Sequence, residues 1–487
     1  MTDKTLFFPA AGNYNGTSLN NRGSNGNYWS SSWISATNAR NLNFNSSGVN
    51  PQNSNNRRYG FSLRGISTHC YSILLYLPMV LTREKLLKDL YVAFYDARRH
   101  KAKMSYVVKF EENLKDNIES LCDELYNRTY TPLPSKCFIV DYPKKREIFA
   151  ARFKDRIVHH LYYGYTSTLF ERTFIQDTYS CIKGRGTHYG VERLRGHIRQ
   201  ESQNWQVPCY AMKIDIRGYF MHIDRKRLLV FAMQSLEKMS AHKVRKGEIS
   251  TWGDVLDMDF IKWLTEMLVL LDPKISCTRV GRDEDWDGLD KNKSLFCTPD
   301  GCGLPIGNLT SQLFSNVYLN VFDQYVKRSL GCRHYGRYVD DCYIVSSDKE
   351  WLLSLIPQMR MFLKDTLGLD MHMGKTIVSS VYHGVEFLGV YIKPWRSYVA
   401  RKTLERIERG VKVLKMLSRK QAVRVINSYL GIMQHTSSYN IRRRLFFNSR
   451  VLRIGILTDD LSKIVDRDTY FNKRNIWARN QYPIHLS

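Results

Sequence analysis

The chain has 487 residues, enough for about two to four domains with buried cores, and it carries a net charge of +27. This excess of Lys and Arg favours a polyanionic partner, and an aromatic content of 13% supplies surfaces on which bases can stack. The ten cysteines show neither C-x-x-C pairs nor Cys/His spacing, which argues against a disulfide framework and a zinc module. The only long apolar run, Cys70 to Leu81, contains Pro78 and is too short to cross a bilayer, so we expect a cytoplasmic protein with no membrane partner.

Residues 1–65 form an asparagine-rich tract. Asparagine recurs densely over residues 13–56, with Gly, Ser, Tyr and Trp between, and no lysine occurs between Lys4 and Lys85. Such a composition buries little apolar surface, so we expect a poorly ordered segment followed by a linker over residues 66–82.

From residue 83 onward the composition is that of a globular α+β body. Apolar residues at helical spacing predict one helix over residues 84–103, and a second is expected over about 110–127. Lys136–Val140 and Cys209–Ile214 are predicted strands. After residue 400, two amphipathic helices with basic outer faces indicate a helical module over residues 401–487, which leaves 83–400 as the main body.

Three acidic residues stand at the ends of predicted strands. Asp340 and Asp341 lie between the strand-like segments Tyr335–Arg337 and Cys342–Val345, so a tight hairpin would place both acids at its tip. Upstream, a mostly apolar strand ends in Asp215. Neighbouring carboxylates beside apolar strands repel each other, and a bound divalent cation removes that cost. Taken alone, the acidic pair is equally compatible with a solvated turn.

This pattern suits phosphoryl transfer, which needs two Mg²⁺ ions rather than covalent help from the protein. We expect Asp215, Asp340 and Asp341 to be catalytic, with Ile216 joining them in the metal site. Mg²⁺ accepts a few carboxylates together with substrate phosphates, so three acids suffice for two ions.

The set resembles the reverse transcriptase family. Asp215 matches the first catalytic motif, and Phe220 matches the aromatic residue that closes against a ribose 2′-hydroxyl and selects dNTPs. Gly301–Gln312 resembles the next motif, a loop that leads into a helix, where Asn308 or Thr310 could cap the helix. The resemblance implies an α+β right-hand polymerase, with fingers and palm built of antiparallel sheet plus helices and with a helical thumb.

The resemblance also assigns binding roles. For the incoming nucleotide it implies six residues: Arg146, Arg152, Phe220, Ile306, Gln312 and Lys375. For template and primer it implies eight: Lys144, Lys183, Arg185, Gly307, Tyr338, Phe387, Leu388 and Gly389. A guanidinium at Arg146 could bind the triphosphate bidentately, and Lys375 could approach the departing phosphate. Each basic residue alone is more simply a solvated charge, but their order along the chain is specific.

Within that family, the residues from Ile306 to Gln312 resemble the reverse transcriptases of diversity-generating retroelements, since most other relatives carry Gln-Gly-x-x-x-Ser-Pro there. Those enzymes copy a template-repeat RNA, misincorporate opposite adenines, and so diversify a target gene. The resemblance implies that Ile306 and Arg152 tune this infidelity. It also implies a bacterial or phage origin and, as partners, template RNA, cDNA and primer, dNTPs and a small basic helical accessory protein.

Adenine mutagenesis gives the asparagine tract an interpretation. AAC and AAT codons never become stops when a leading adenine changes, whereas lysine codons do. Residues 27–33 and 57–64 resemble the end of lectin-fold variable proteins. We therefore predict that residues 1–65 are a template repeat translated in frame, with a natural start near Met79; a fused lectin-like fragment is the alternative.

Two other functions share parts of this pattern. A group II intron-type reverse transcriptase or maturase would be basic and carry the same acids, although no Cys/His cluster follows residue 401 here. A non-catalytic RNA-binding protein derived from a polymerase is the second, and the intact acids argue against it. The motifs assign no role to residues 236–296.

Overall fold

The computed structural model describes five strands within residues 13–56, and then residues 80–466 apart from 142–143, 246–247 and 276. Residues 1–76 and 77–487 are separate compact units. Most of the predicted linker over residues 66–82, and residues 467–487 of the predicted C-terminal module, lie outside the described parts.

The first unit contains antiparallel strands in the tract whose composition predicted little order. Their bounds are β1 Asn13–Asn15, β2 Ser18–Asn20, β3 Gly26–Trp33, β4 Asn38–Asn45 and β5 Gly48–Asn56. β1 pairs with β2, and β3, β4 and β5 form a three-stranded sheet in that order. Composition does not reveal such pairing, because the register between two segments decides it.

The second unit holds the remaining elements, twelve strands and fifteen helices among the described residues. The helices are α1 Arg83–Arg98, α2 Ser105–Glu111, α3 Leu114–Tyr126, α4 Phe153–Glu171, α5 Thr187–Glu201, α6 Tyr219–His222, α7 Arg225–Ser240, α8 Trp252–Val255, α9 Met258–Leu270, α10 Leu309–Gln324, α11 Lys349–Leu367, α12 Arg401–Val413, α13 Arg419–Met433, α14 Tyr439–Phe446 and α15 Ser449–Ile454. The strands are β6 Ser135–Val140, β7 Arg146–Ala150, β8 Tyr210–Ile214, β9 Cys277–Arg279, β10 His334–Tyr338, β11 Asp341–Ser346, β12 Ile377–Ser380, β13 Val385–Phe387, β14 Val390–Lys393, β15 Arg396–Val399, β16 Gly455–Leu457 and β17 Ile464–Asp466.

The first predicted helix is confirmed as α1, which begins after Thr82, whose side chain accepts a hydrogen bond from the Lys85 amide. Its apolar stripe, including Leu86, Leu90 and Phe94, is buried. The helix expected over about 110–127 is confirmed as α3, which begins at Leu114 because a turn at residues 112–113 separates it from α2. The two predicted strands are confirmed as β6 and β8.

Two sheets position the site. The central sheet is antiparallel, in the order β10-β11-β8-β12, and one face packs against helices that include α10 and α11. The outer sheet, β7-β6-β9, precedes it in the chain except for β9. β9 comes from the segment over residues 236–296 and pairs parallel with β6, from Ser135↔Cys277 to Cys137↔Arg279. This segment therefore completes a sheet that begins about 140 residues earlier.

The C-terminal module is mainly helical. α12 to α15 enclose a separate apolar cluster that includes Ile407, Ile426, Leu430 and Phe446. The short pair β16 and β17 adds strands to a region predicted as helical alone. Within the described residues, no helix is both long enough and apolar enough to span a membrane.

Candidate active site

The acidic pair sits on a two-residue turn of the central sheet. Tyr338 pairs with Asp341, which leaves Val339 and Asp340 as the turn. Val339 has φ +56°, a left-handed conformation that is an outlier for a β-branched residue. Glycine normally occupies that position in such hairpins. The strain, about 1–3 kcal/mol for a residue of this kind, is stored directly beside Asp340.

Asp215 reaches the same end of the sheet through the neighbouring strand. β8 is antiparallel to β11, with Ile214 opposite Cys342, so the next step of this register brings Asp215 level with Asp341. The Asp215 carbonyl accepts a hydrogen bond from the His372 amide at 2.8 Å, which fixes the backbone there. The three acids that the sequence singled out are thus gathered at one edge, although they come from segments 125 residues apart.

The negative charge at this edge is concentrated and partly buried. Burial, followed by the charge of Asp341 and that of Asp215, raises the pKa of Asp340 to about 6. Burial also raises the pKa of Asp341, against the opposing effect of Lys213. The Lys375 ammonium lies 3.2 Å from both carboxylate oxygens of Asp215. The edge therefore favours a cation, and in this arrangement a lysine supplies one.

The donor chemistry fits Mg²⁺, which prefers carboxylate oxygens. Within the described part of the chain, however, no three acidic, histidine or cysteine side chains converge closely enough to hold an ion. Ile216 is buried, and the hydrogen bonds on either side of it, from Arg217 to Asp370 and from His372 to Asp215, anchor its backbone to the following segment.

The loop before α10 is hydrogen-bonded both to the outer sheet and to the segment that follows Asp215. The Phe149 amide donates to the Ile306 carbonyl at 2.9 Å, and the Leu304 amide donates to the Phe220 carbonyl at 2.9 Å. Gly307 has φ +129°, and a Cβ there would lie 3.0 Å from the Phe149 carbonyl oxygen, so only glycine fits. The structure thus brings Phe220, Ile306 and Gly307 together.

The expected helix cap is used differently. Asn308 is the N-cap residue of α10, but its side-chain oxygen accepts from the Ala151 amide at 3.3 Å and makes no capping bond. Thr310 bonds to the ring of His159 at 2.8 Å. Both side chains therefore tie α10 to the start of α4, because neighbouring elements compete with the helix end for them.

The predicted basic residues of the outer sheet differ in placement. Lys144 and Arg146 are exposed. The charge of Lys144 is close enough to oppose the rise that burial causes in the pKa of Asp341. Arg152 donates to the Pro134 carbonyl at 2.9 Å and to the Thr278 hydroxyl at 3.5 Å. Arg152 is therefore held at the outer sheet by these two bonds.

A loop between α4 and α5 lies against the acidic hairpin. Gln312 is exposed on the first turn of α10 and accepts from the Cys181 thiol at 3.4 Å. Cys181 also contributes to raising the pKa of Tyr338, after burial, so the thiol lies near both. Lys183 is exposed, whereas Arg185 donates to the Thr178 carbonyl at 2.9 Å and braces its own loop.

The hairpin of β13 and β14 is a packing element. Its turn, Leu388-Gly389, has positive φ at both residues, as a two-residue type I′ turn requires. The Phe387 ring is buried and meets Tyr343 edge-on at 5.1 Å, so this side chain offers no surface to a nucleic acid. The Gly389 carbonyl accepts from Ala400, just before α12. Of Phe387, Leu388 and Gly389, only Leu388 and Gly389 in the turn are partly exposed.

Three buried charged residues near the site were not predicted from the sequence. Arg337 and Asp323 are fully buried and joined by three hydrogen bonds of 2.7 to 3.0 Å. Glu147, also buried, accepts from Trp286, Ser294 and the Leu295 amide. A charged residue inside an apolar strand or helix was the available signal, because such a charge requires a partner.

Comparison with known proteins identifies a family whose profile matches this chain. The profile of the family described as reverse transcriptase (RNA-dependent DNA polymerase) matches residues 144–392, just over half of the chain. Among solved structures, telomerase from Candida albicans in complex with a fragment of telomeric RNA matches with a TM-score of 0.38 and 10% identity, over 62% of this chain and 56% of that one. Apo telomerase from Candida tropicalis matches with a TM-score of 0.37 and 11% identity, over 55% and 56%. The chain thus spans a little over half the length of these structures, and no curated protein matches it.

Proposed function

Because the chain belongs to the reverse transcriptase family, we propose that it is an RNA-directed DNA polymerase that extends a primer on an RNA template with dNTPs. In this proposal the central sheet is the palm, the outer sheet and its helices are the fingers, and α12 to α15 belong to the thumb. The observation that carries it is the placement of Asp215, Asp340 and Asp341 at one sheet edge, where their charges repel.

Each acid has a stated part in this proposal. Asp215 and Asp340 would hold two Mg²⁺ ions, with Asp341 on one of them and the Ile216 backbone beside them. The ions would activate the primer 3′-hydroxyl and neutralise the leaving pyrophosphate. Lys375, which bonds to Asp215 here, is long and exposed enough to turn towards a phosphate once Asp215 has another cation.

Residues around the acids would select and orient the nucleotide. Phe220 lies next to the loop that carries Ile306, so its ring can form the wall against which a ribose is sized. Exposed Arg146 and Lys144 can meet the triphosphate and the nucleic-acid backbone, since Arg146 begins the strand that borders this loop and Lys144 lies two residues before it.

Primer extension tests the catalytic assignment. Asp340→Ala should abolish dNTP incorporation, because it removes a metal-binding carboxylate without disturbing a buried contact. Asp116→Ala, an equal truncation of an exposed acid on α3, is the matched control and should retain activity. Unchanged incorporation by Asp340→Ala would refute the assignment, and RNA binding without any incorporation in the wild type would favour a non-catalytic RNA-binding protein.

The finer part of the proposal is mutagenic copying, as in diversity-generating retroelements. Ile306 supports it, because the loop that contacts Phe220 through Leu304 carries an apolar side chain at the position where most relatives place glutamine. Arg152 acts less directly, through the outer sheet that contacts the Ile306 loop. Sequencing cDNA made from an RNA template rich in adenine gives the test. Frequent errors opposite adenine alone would support this class, whereas uniformly faithful copying would favour a group II intron-type enzyme.

The same proposal covers the remaining partners and the first unit. A small basic helical accessory protein would assist copying in a bacterial cytosol, and residues 1–65 would be a translated template repeat. The lack of lysine between Lys4 and Lys85 supports the latter, since adenine mutagenesis turns lysine codons into stops.

A further inference from the structure

The turn that carries Asp340 is held by side chains rather than by its own sequence. The Val339 carbonyl accepts from Nη1 of Arg337 at 2.9 Å, and the Val339 amide donates to the Ser180 hydroxyl at 3.2 Å. Both polar groups of the strained residue are therefore taken up by buried side chains. Valine does not favour this backbone conformation, so these two bonds, and not local preference, maintain it.

Arg337 is itself fixed from the opposite side. Its guanidinium makes three bonds to Asp323 and a fourth to Asn316 at 3.2 Å. Asp323 also accepts from the Tyr335 hydroxyl at 2.6 Å and from Thr178 at 3.2 Å. All of these groups are buried, and the carboxylate and the guanidinium satisfy each other.

This cluster connects the acidic turn to α10, the helix that follows the loop carrying Ile306 and Gly307. Gln312, Asn316 and Asp323 are spaced by four and seven residues, so they lie along one face of α10. Gln312 is at the exposed start of that face, and Asp323 is at its buried end. A displacement of α10 would therefore be transmitted through Arg337 to Val339.

We propose that Arg337 is a positioning residue for catalysis: anchored by Asp323, it holds Val339 in the left-handed conformation and so aims Asp340 at the metal site. The inference rests on the proposed polymerase function. It assigns to a fully buried arginine an effect on metal binding, although that arginine carries no metal-binding atom.

The test uses the full chain and has a readout other than polymerisation. Mn²⁺ titration followed by electron paramagnetic resonance measures metal affinity directly. Arg337→Lys keeps the charge but loses the fork that reaches both Asp323 and Val339. We expect Mn²⁺ binding to weaken about 10- to 100-fold, as is typical when a residue that orients a metal ligand is changed. Turnover should fall while KM for dNTP stays close to that of the wild type.

Relieving the backbone strain at Val339 distinguishes a loss of Asp340 positioning from a general loss of stability. Glycine adopts φ +56° at little cost, so Val339→Gly should restore most of the Mn²⁺ affinity in the Arg337→Lys background. Arg225→Lys is the matched control, since Arg225 is also buried and pairs with Asp272 at 2.6 Å elsewhere. It should lower stability and leave Mn²⁺ affinity unchanged, with or without Val339→Gly.

A milder variant covers the case in which Arg337→Lys does not fold. Ser180→Ala removes only the bond to the Val339 amide and one to Asn316, and Val339→Gly should rescue it in the same way. Wild-type Mn²⁺ affinity in these variants, or failure of Val339→Gly to rescue either of them, would overturn the proposal. Mn²⁺ binding without polymerisation in the wild type would refute the proposed function alone, whereas a wild type that binds no Mn²⁺ would overturn both.

Discussion

Asp340→Asn should stabilise the metal-free protein at neutral and alkaline pH while it destroys activity. Burial and the neighbouring acids raise the pKa of Asp340 to about 6, from 3.8 for an ordinary aspartate. At about 1.4 kcal/mol per pH unit, this difference corresponds to about 3 kcal/mol. The carboxylate is partly exposed, so solvent screening reduces the expected gain to about 1.5 kcal/mol.

The sign follows from which state binds the proton more tightly. A raised pKa in the folded state means that the contribution of Asp340 to stability is complete below the unfolded pKa, near pH 4, and is lost as pH rises through about 6. Asparagine is neutral throughout. The variant should therefore match the wild type near pH 4 and exceed it at pH 8.

Urea unfolding in EDTA, followed at both pH values, measures this difference in the free energy of unfolding. Asp116→Asn, an exposed acid on α3, is the control and should change stability little at either pH. Mg²⁺ should stabilise the wild type more than Asp340→Asn, since the carboxylate binds the ion. A variant no more stable than the wild type at pH 8 would show that the acidic edge stores no electrostatic cost.

Further predictions concern four other features. Glu147→Ala should destabilise the protein by about 3 kcal/mol, because three donors, two of them buried, lose their acceptor, and hydrogen exchange should rise over residues 277–300. Lys375→Met should slow single-turnover incorporation about 100-fold, as when a donor to developing charge is removed, while stability changes by less than about 1 kcal/mol. Ile306→Gln should lower errors opposite adenine about tenfold in sequenced cDNA, and an unchanged error rate would exclude Ile306 from setting fidelity. Mass spectrometry of the native protein should find no peptide from residues 1–60, and finding one would rule out translation from Met79.

The sequence by itself determined the acids and the local structure that presents them. Strand-like segments on both sides of Asp340 and Asp341 required a tight hairpin, and an apolar strand ending in Asp215 supplied the third acid. These features are local, so residue spacing and side-chain type are sufficient to predict them.

Tertiary structure decided which distant groups meet. The pairing of β9 with β6, the Lys375 contact with Asp215, the Arg337–Asp323 ion pair and the burial of Phe387 all join segments whose proximity no local pattern encodes. From the sequence, Arg337 was only the last residue of a strand-like segment. Only the packing of β10 against α10 shows that it is dehydrated, and a dehydrated charge must be paired with another group. Pairing with Asp323 therefore fixes the Arg337 side chain where it can bond to the Val339 carbonyl of the acidic turn.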